Sequence, residues 1–117
     1  MDNLLEIVEG NSAIIDITPL DETTGQPIRL GVGDKVIFTV KTPFGKMKLQ
    51  KVLTSQDYDS IEDDSLNCVL EPSDTIGWSS GDYLYDCLLM TSDNMVVTFI
   101  SSTFRIVRAL GKYTDVG

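Results

Sequence analysis

The sequence predicts an all-β protein, a sandwich or barrel of about eight short strands. Three observations predict it. Apolar residues recur with period two in several separate segments. Clusters of Gly, Pro, Asn, Asp and Ser punctuate those segments at short intervals. Helical signals are confined to a single turn after Pro72. At 117 residues the chain is one domain's worth, read here as a single unit over 1–117. A chain of this size buries roughly two-thirds of the surface its unfolded form exposes, enough for one core.

In chain order, residues 4–8 and 13–17 read as the first two strands. Val36, Phe38 and Val40 alternate with Lys35, Ile37, Thr39 and Lys41, the pattern of a half-buried strand. Residues 46–53 follow as a lysine-rich strand. Leu66, Cys68 and Leu70 alternate with Ser65, Asn67, Val69 and Glu71, and Tyr83, Tyr85, Cys87 and Leu89 alternate with Leu84, Asp86, Leu88 and Met90. Residues 95–100 and 104–107, rich in β-branched and aromatic side chains, read as two further strands. Turns are signalled at Gly10-Asn11, Thr24-Gly25-Gln26-Pro27, Gly31-Val32-Gly33-Asp34, Thr42-Pro43-Phe44-Gly45 and Ser92-Asp93-Asn94. Gly45 and Asn94 suit the positive φ that tight hairpins need. Ser73 is the expected cap of the one helical turn. Residues 55–65 form the most polar loop.

The segment Gly81-Asp82-Tyr83-Leu84-Tyr85-Asp86-Cys87 is similar to the tyrosine corner of immunoglobulin-like sandwiches, in which a phenol packs in the core and bonds the backbone upstream. Gly81, Tyr83, Tyr85 and Asp86 are the candidate corner residues, with Tyr83 and Tyr85 both able to serve as its tyrosine. Plain core packing is the competing reading. Cys68 and Cys87 do not match the antibody disulfide, because they fall on successive strands. Reduced buried thiols are the default, and a disulfide stays open.

Composition excludes several chemistries. There is no histidine, which removes Ser/His/Asp and Cys/His catalysis and histidine-ligated zinc. A C-x-x-C motif is absent. No apolar run approaches the roughly 18 residues of a membrane span. Met1 to Glu6 lack the basic and apolar regions of a signal peptide, so synthesis in a cytoplasm without export is the expectation.

Each remaining motif has a functional and a structural reading. Gly31-Val32-Gly33-Asp34 begins like a dinucleotide fingerprint, but a strand follows where a helix N-terminus is needed. Asp57, Asp59, Glu62, Asp63 and Asp64 could ligate calcium, yet Glu62 falls where an EF-hand needs glycine. A solvated acidic loop is the alternative. Asp74-Thr75-Ile76 lacks the glycine of an aspartic-protease motif. With none of the expected constellations present, the chain reads as a non-enzyme without a cofactor. Trp78, in a turn beside Gly77 and Ser79-Ser80, either closes the end of the core or anchors a ligand.

The net charge is −9, with 18 acids against 9 bases. Five lysines and no acid lie between Lys35 and Lys51. Ten acids and no base lie between Val52 and Phe104. Nucleic acid would be repelled by the whole molecule. A lysine-rich strand discourages edge-to-edge aggregation. The sharper expectation is a basic face, Lys46, Lys48 and Lys51, meeting the acidic face of a second copy head to tail.

The pattern from Gly33-Asp34 and Val36, Phe38, Val40-Lys41 through Glu71-Pro72-Ser73-Asp74-Thr75, Gly81-Asp82-Tyr83-Leu84-Tyr85-Asp86, Val97-Thr98-Phe99-Ile100 and Ser102-Thr103-Phe104-Arg105-Ile106 resembles small virion proteins. They are tail, neck or baseplate-associated proteins of bacteriophages and prophages of low-GC Gram-positive bacteria. The likeness spans roughly 33–108 and consists of strand and turn residues. Trp78 and Cys87 depart from it, standing where an aliphatic residue is expected. The resemblance implies an immunoglobulin-like antiparallel β-sandwich of about seven to eight strands and a structural or adaptor role in the particle. The implied partners are other virion proteins and further copies of the chain, with no nucleic acid and no membrane. The alternative is a carbohydrate- or receptor-binding module using Trp78 or the 55–65 loop.

Overall fold

The structure is a computed structural model that describes residues 3–21, 23–60 and 62–108. Among the described residues seven strands form two sheets: β1 (Leu5–Val8), β2 (Ala13–Ile17), β3 (Lys35–Lys41), β4 (Met47–Leu53), β5 (Leu66–Leu70), β6 (Gly81–Met90) and β7 (Val96–Val107). One sheet has five strands in the order β1-β7-β6-β3-β4, and the other pairs β2 with β5. All pairs are antiparallel except β1 with β7, which is parallel. The second and fifth strands lie in one sheet, and the third, sixth and seventh in the other. That is the strand assortment of an immunoglobulin-like sandwich, with β4 extending the larger sheet. No helix among the described residues is long and apolar enough to cross a membrane.

Alternation sets the two inner faces. On β3, Val36, Phe38 and Val40 are wholly buried, and on β5 so are Leu66, Cys68 and Leu70. Tyr83, Tyr85, Cys87 and Leu89 point inward from β6, and Phe104 and Ile106 from β7. Phe38 links the aromatic groups at the centre, its ring centroid 5.5 Å from Tyr85 and 6.1 Å from Phe104. Gly45 and Asn94 sit in the β3–β4 and β6–β7 turns with φ of 90° and 70°.

Two expectations need correction. The segments read as two strands, 95–100 and 104–107, belong to one strand, β7 (Val96–Val107). Cys87 pairs with Ile100 but Leu88 with Thr98, so Phe99 is an extra residue in a β-bulge. The bulge shifts the inward phase from Val97 to Ile100, and Ser102 then occupies an inward position. The apolar rhythm breaks although Ser101, Ser102 and Thr103 stay paired with β6. The helical turn, α1 (Pro72–Thr75), is capped by Glu71 and not Ser73. Pro72 takes the first helical position, where its missing N–H costs nothing. The Asp74 carboxylate reaches back to accept from the Glu71 N–H at 2.8 Å.

Cys68 and Cys87 are free thiols in the facing sheets, both fully buried. Burial pushes Cys68 up to about 11, against a partial offset from the Lys51 charge. Burial, with Cys68 and Asp86 adding to it, pushes Cys87 up to about 12. Both folded values lie above the ordinary 9.0. The folded state therefore holds these protons more tightly than the unfolded one. The stability they contribute is complete below pH 9.0 and is lost as pH rises toward 11 and 12. Denaturant midpoints should fall steadily above that lower limit, and a Cys68→Ala, Cys87→Ala double variant should show a flatter profile. In the native protein neither thiol should react with Ellman's reagent, and both should react after unfolding.

Candidate functional site: a tied corner and an open sheet face

The connection from β5 to β6, residues 71–80, crosses between the sheets and is tied down by four contacts from three elements. The Tyr83 hydroxyl donates to the Ser79 carbonyl at 2.9 Å, the geometry of a tyrosine corner. The Gly10 N–H donates to Thr75 Oγ1 and the Gly77 N–H to Glu9 Oε2, at 2.9 and 2.8 Å. Lys51 Nζ stands 2.9 Å from Asp74 Oδ2. Gly10 is favoured by its left-handed backbone. At φ 77° a Cβ there would stand 2.9 Å from Ile76 Cδ1. Burial alone would raise the Asp74 carboxyl, but the hydrogen bonds from Lys51 and from Glu71 outweigh it and hold the pKa below the ordinary 3.8.

The four corner candidates do not form one site. Tyr83 and Tyr85 both face the core, but Tyr85 donates to the Asn3 carbonyl in the N-terminal segment. Gly81 opens β6 and is exposed. Asp86 projects from the opposite face of β6, in register with Thr39 and Ser101.

Trp78 is half-buried and packs against the end of the core, its ring centroid 5.1 Å from Tyr83 and 6.1 Å from Phe104. Lys48 Nζ lies over the same indole, 5.0 Å from its centroid. Beside it opens a cleft of about 330 Å³ whose walls include Glu9, Ser79, Ser80 and Arg108. Glu9 is a buried carboxylate that sequence reasoning missed. Its signal was its place two residues after Ile7, on the inward phase of β1.

The three lysines are separated as well. Lys51 turns inward from β4 to Asp74. Lys48 is the extra residue of a bulge, since Val40 pairs with Leu49 and Lys41 with Met47. Only Lys46 stands free of those contacts, exposed beside the β3–β4 turn. In the 55–65 loop, Asp57 accepts from the Thr54 N–H and Asp63 from the Ser60 N–H. These carboxylates cap local turns. Among the described residues no three His, Cys, Asp or Glu side chains gather as a metal-holding group. Asp34 likewise closes its own turn, accepting from the N–H groups of Gly31 and Ser92.

The outer face of the five-stranded sheet carries the other notable feature. Cross-strand register places Val52, Ile37 and Leu88 side by side on β4, β3 and β6. Met47, Lys41 and Leu84 form a second row, four residues away along β3 and β6. Val52, Met47 and Leu84 are 53%, 55% and 51% exposed. Between the rows lies a trough of about 460 Å³ around Thr39, Gln50 and Asp86. The face ends in a polar ladder, with Arg105 of β7 bonded to Asp82 at 2.7 Å and lying 3.9 Å from Glu6. The sequence carried this signal too. Ile37, Leu84 and Leu88 occupy the outward phase of their strands, where polar residues are the rule.

Two substitutions test the corner. Tyr83→Phe removes the hydroxyl and keeps the ring, and should cost about 1 kcal/mol in urea unfolding. Asp74→Ala removes both the Lys51 partner and the acceptor for the Glu71 N–H, and should cost about 2 kcal/mol. Lys51→Ala made on the Asp74→Ala background should cost less than on the native one, which a double-mutant cycle measures.

Comparison with protein-family models and with curated proteins gives no match. Among solved structures, the chain is similar to the crystal structure of CopC from Methylosinus trichosporium OB3b. The TM-score is 0.39 at 14% identity, over 72% of this chain and 76% of that one.

Proposed function

We propose that this chain is a non-enzymatic structural or adaptor component of a bacteriophage or prophage particle, in its tail, neck or baseplate region, working through protein–protein contacts. The observation that carries the reading is the apolar row Val52–Ile37–Leu88 on the open side of the five-stranded sheet. Contiguous exposed apolar side chains with a polar margin are what a protein contact surface offers. On this face the Glu6–Arg105–Asp82 ladder lies beyond the second row, Met47–Lys41–Leu84. The resemblance over roughly 33–108 supplies the particle.

Trp78 bears on the alternative of a carbohydrate- or receptor-binding module. Its ring is engaged by Tyr83, Phe104 and Lys48, which favours closure of the core over a stacking platform. Removing it would weaken the fold together with any binding.

The experiment is mass spectrometry of density-banded particles from a producing strain. The chain should be present in a fixed stoichiometry. Val52→Lys, a substitution at a half-exposed position, should leave the circular dichroism unchanged and lower incorporation at least tenfold, the loss of a contact anchor. Particles that lack the native chain would overturn the particle role. Unchanged incorporation of the Val52→Lys chain would overturn the assignment of the contact to this face.

A further inference from the structure

The two ends of the sandwich are unlike, and each carries what the other lacks. The β3–β4 turn presents Phe44 at 98% exposure. The turn is ordered by its own hydrogen bonds, Thr42 N–H to the Lys46 carbonyl at 2.8 Å and Gly45 N–H to the Thr42 carbonyl at 2.9 Å. A phenyl ring left in water on an ordered turn forgoes the stabilisation that burial would give it. Lys41 and Lys46, both exposed, flank the turn in sequence, and residues 42–50 contain no acid.

The opposite end holds a groove of about 350 Å³. Lys35, at the other end of β3 from that turn, pairs with Met90, the last residue of β6 before the β6–β7 turn. The groove opens beside this second turn. Ile28, Leu89, Val97 and Phe99 line it, with Leu20 and Met95 exposed among its walls. A cavity of roughly 150 Å³ already admits benzene, so a phenyl ring fits with room to spare. Asp21 lines the groove, and Asp34 and Asp93 sit in adjacent turns, Asp34 bonded to the Ser92 N–H and Asp93 to the Thr91 hydroxyl. Two bases are near. Lys35 is exposed at the start of β3, and Arg29 is held over the Tyr58 ring and bonded to the Asp63 carbonyl.

We propose that copies of this chain join end to end, with Phe44 of one copy seated in the groove lined by Ile28, Leu89 and Phe99 of the next. The flanking charges, Lys41 and Lys46 on one side and Asp21 and Asp93 on the other, set the direction. The proposal rests on the reading that the chain works through protein contacts, and it names a second copy as one partner. The occupant is a second copy because the chain's own charge division supplies both signs, base at the turn and acid at the groove. The contact is heterologous, because the two patches lie at opposite ends of β3. Repeated, it closes into a ring or extends as a filament.

Light scattering coupled to gel filtration, over a wide range of protein concentration at low and high salt, tests the contact. The native chain should show concentration-dependent multiples of its mass. Phe44→Ser changes a fully exposed side chain and should weaken association at least tenfold. Met95→Asp, at the groove, should do the same. Mixed together, these two variants keep one working joint between them and should form a one-to-one dimer that grows no further. A native chain that is monomeric throughout, a Phe44→Ser variant that associates normally, or a mixture that stays monomeric would each overturn the end-to-end contact. None of those results removes the chain from the particle, which falls only if the banded particles lack it.

Discussion

The crossing from β5 to β6 is the constraint on which the rest of the sandwich depends. Five strands on one side face two on the other, so the inner face of the larger sheet is wider than its strand cover. Loops must finish the job, and a loop brings backbone polar groups that need partners where they are buried. The crossing meets that need through long-range bonds. Glu9 and Gly10, from the β1–β2 turn, bond Gly77 and Thr75. Thr75 is fully buried and Glu9 nearly so. A buried carboxylate is costly unless bonded, so the Gly77 N–H and the position of Glu9 support each other. Trp78 then closes the core end that the crossing leaves open, over Phe104 and Tyr83.

The same crossing disposes of an exposed edge. β4 is the outer strand of the larger sheet, and an outer strand with free N–H and C=O groups invites pairing with another chain. Here Lys51 points inward to Asp74 and Lys48 bulges out of register over Trp78. An inward charge and a bulge are two of the devices by which edges are made unattractive. β1, on the far side, is only four residues long. Strand addition at the β4 edge is thereby disfavoured. Lysines that look in sequence like one basic surface are better understood as the means by which that edge is closed.

Most of the fold was legible because alternation and turn chemistry agreed along the chain. The exceptions have local causes. Bulges defeat a period-two reading, since one extra residue moves every later side chain to the other face. Phe99 did this to β7 and made one strand look like two. On β4 the bulge falls at Lys48, and Lys51 lies on the inward phase with Leu49 and Leu53, so the lysines of this segment do not share one face. The choice between Tyr83 and Tyr85 turned on whether the backbone four residues upstream comes within reach of the phenol, which is a matter of tertiary position. Glu9 and the outward Ile37, Leu84 and Leu88 were readable as violations of phase. A charge on an inward phase points to a buried bond, and apolar groups on an outward phase point to a contact surface. The distant partners of Glu9, Gly10 and Lys51 are set by topology and have no local signature.

Charge makes the end-to-end contact conditional in a definite way. Every copy carries −9, so two copies repel at long range even when their ends attract. Added salt screens the distant repulsion first, because the Debye length is already about 10 Å at 0.1 M. The flanking Lys–Asp attractions act at shorter range and weaken as screening tightens further. Burial of Phe44 in an apolar groove is insensitive to screening of this kind. Association should therefore pass through an optimum at moderate salt, with the apolar term surviving on both sides of it. A contact made by the lysines alone would decline monotonically. Because the sheet-face row and the hairpin tip are separate surfaces, a chain joined to its neighbours at its ends keeps Val52, Ile37 and Leu88 open, and the two contacts can be held at once.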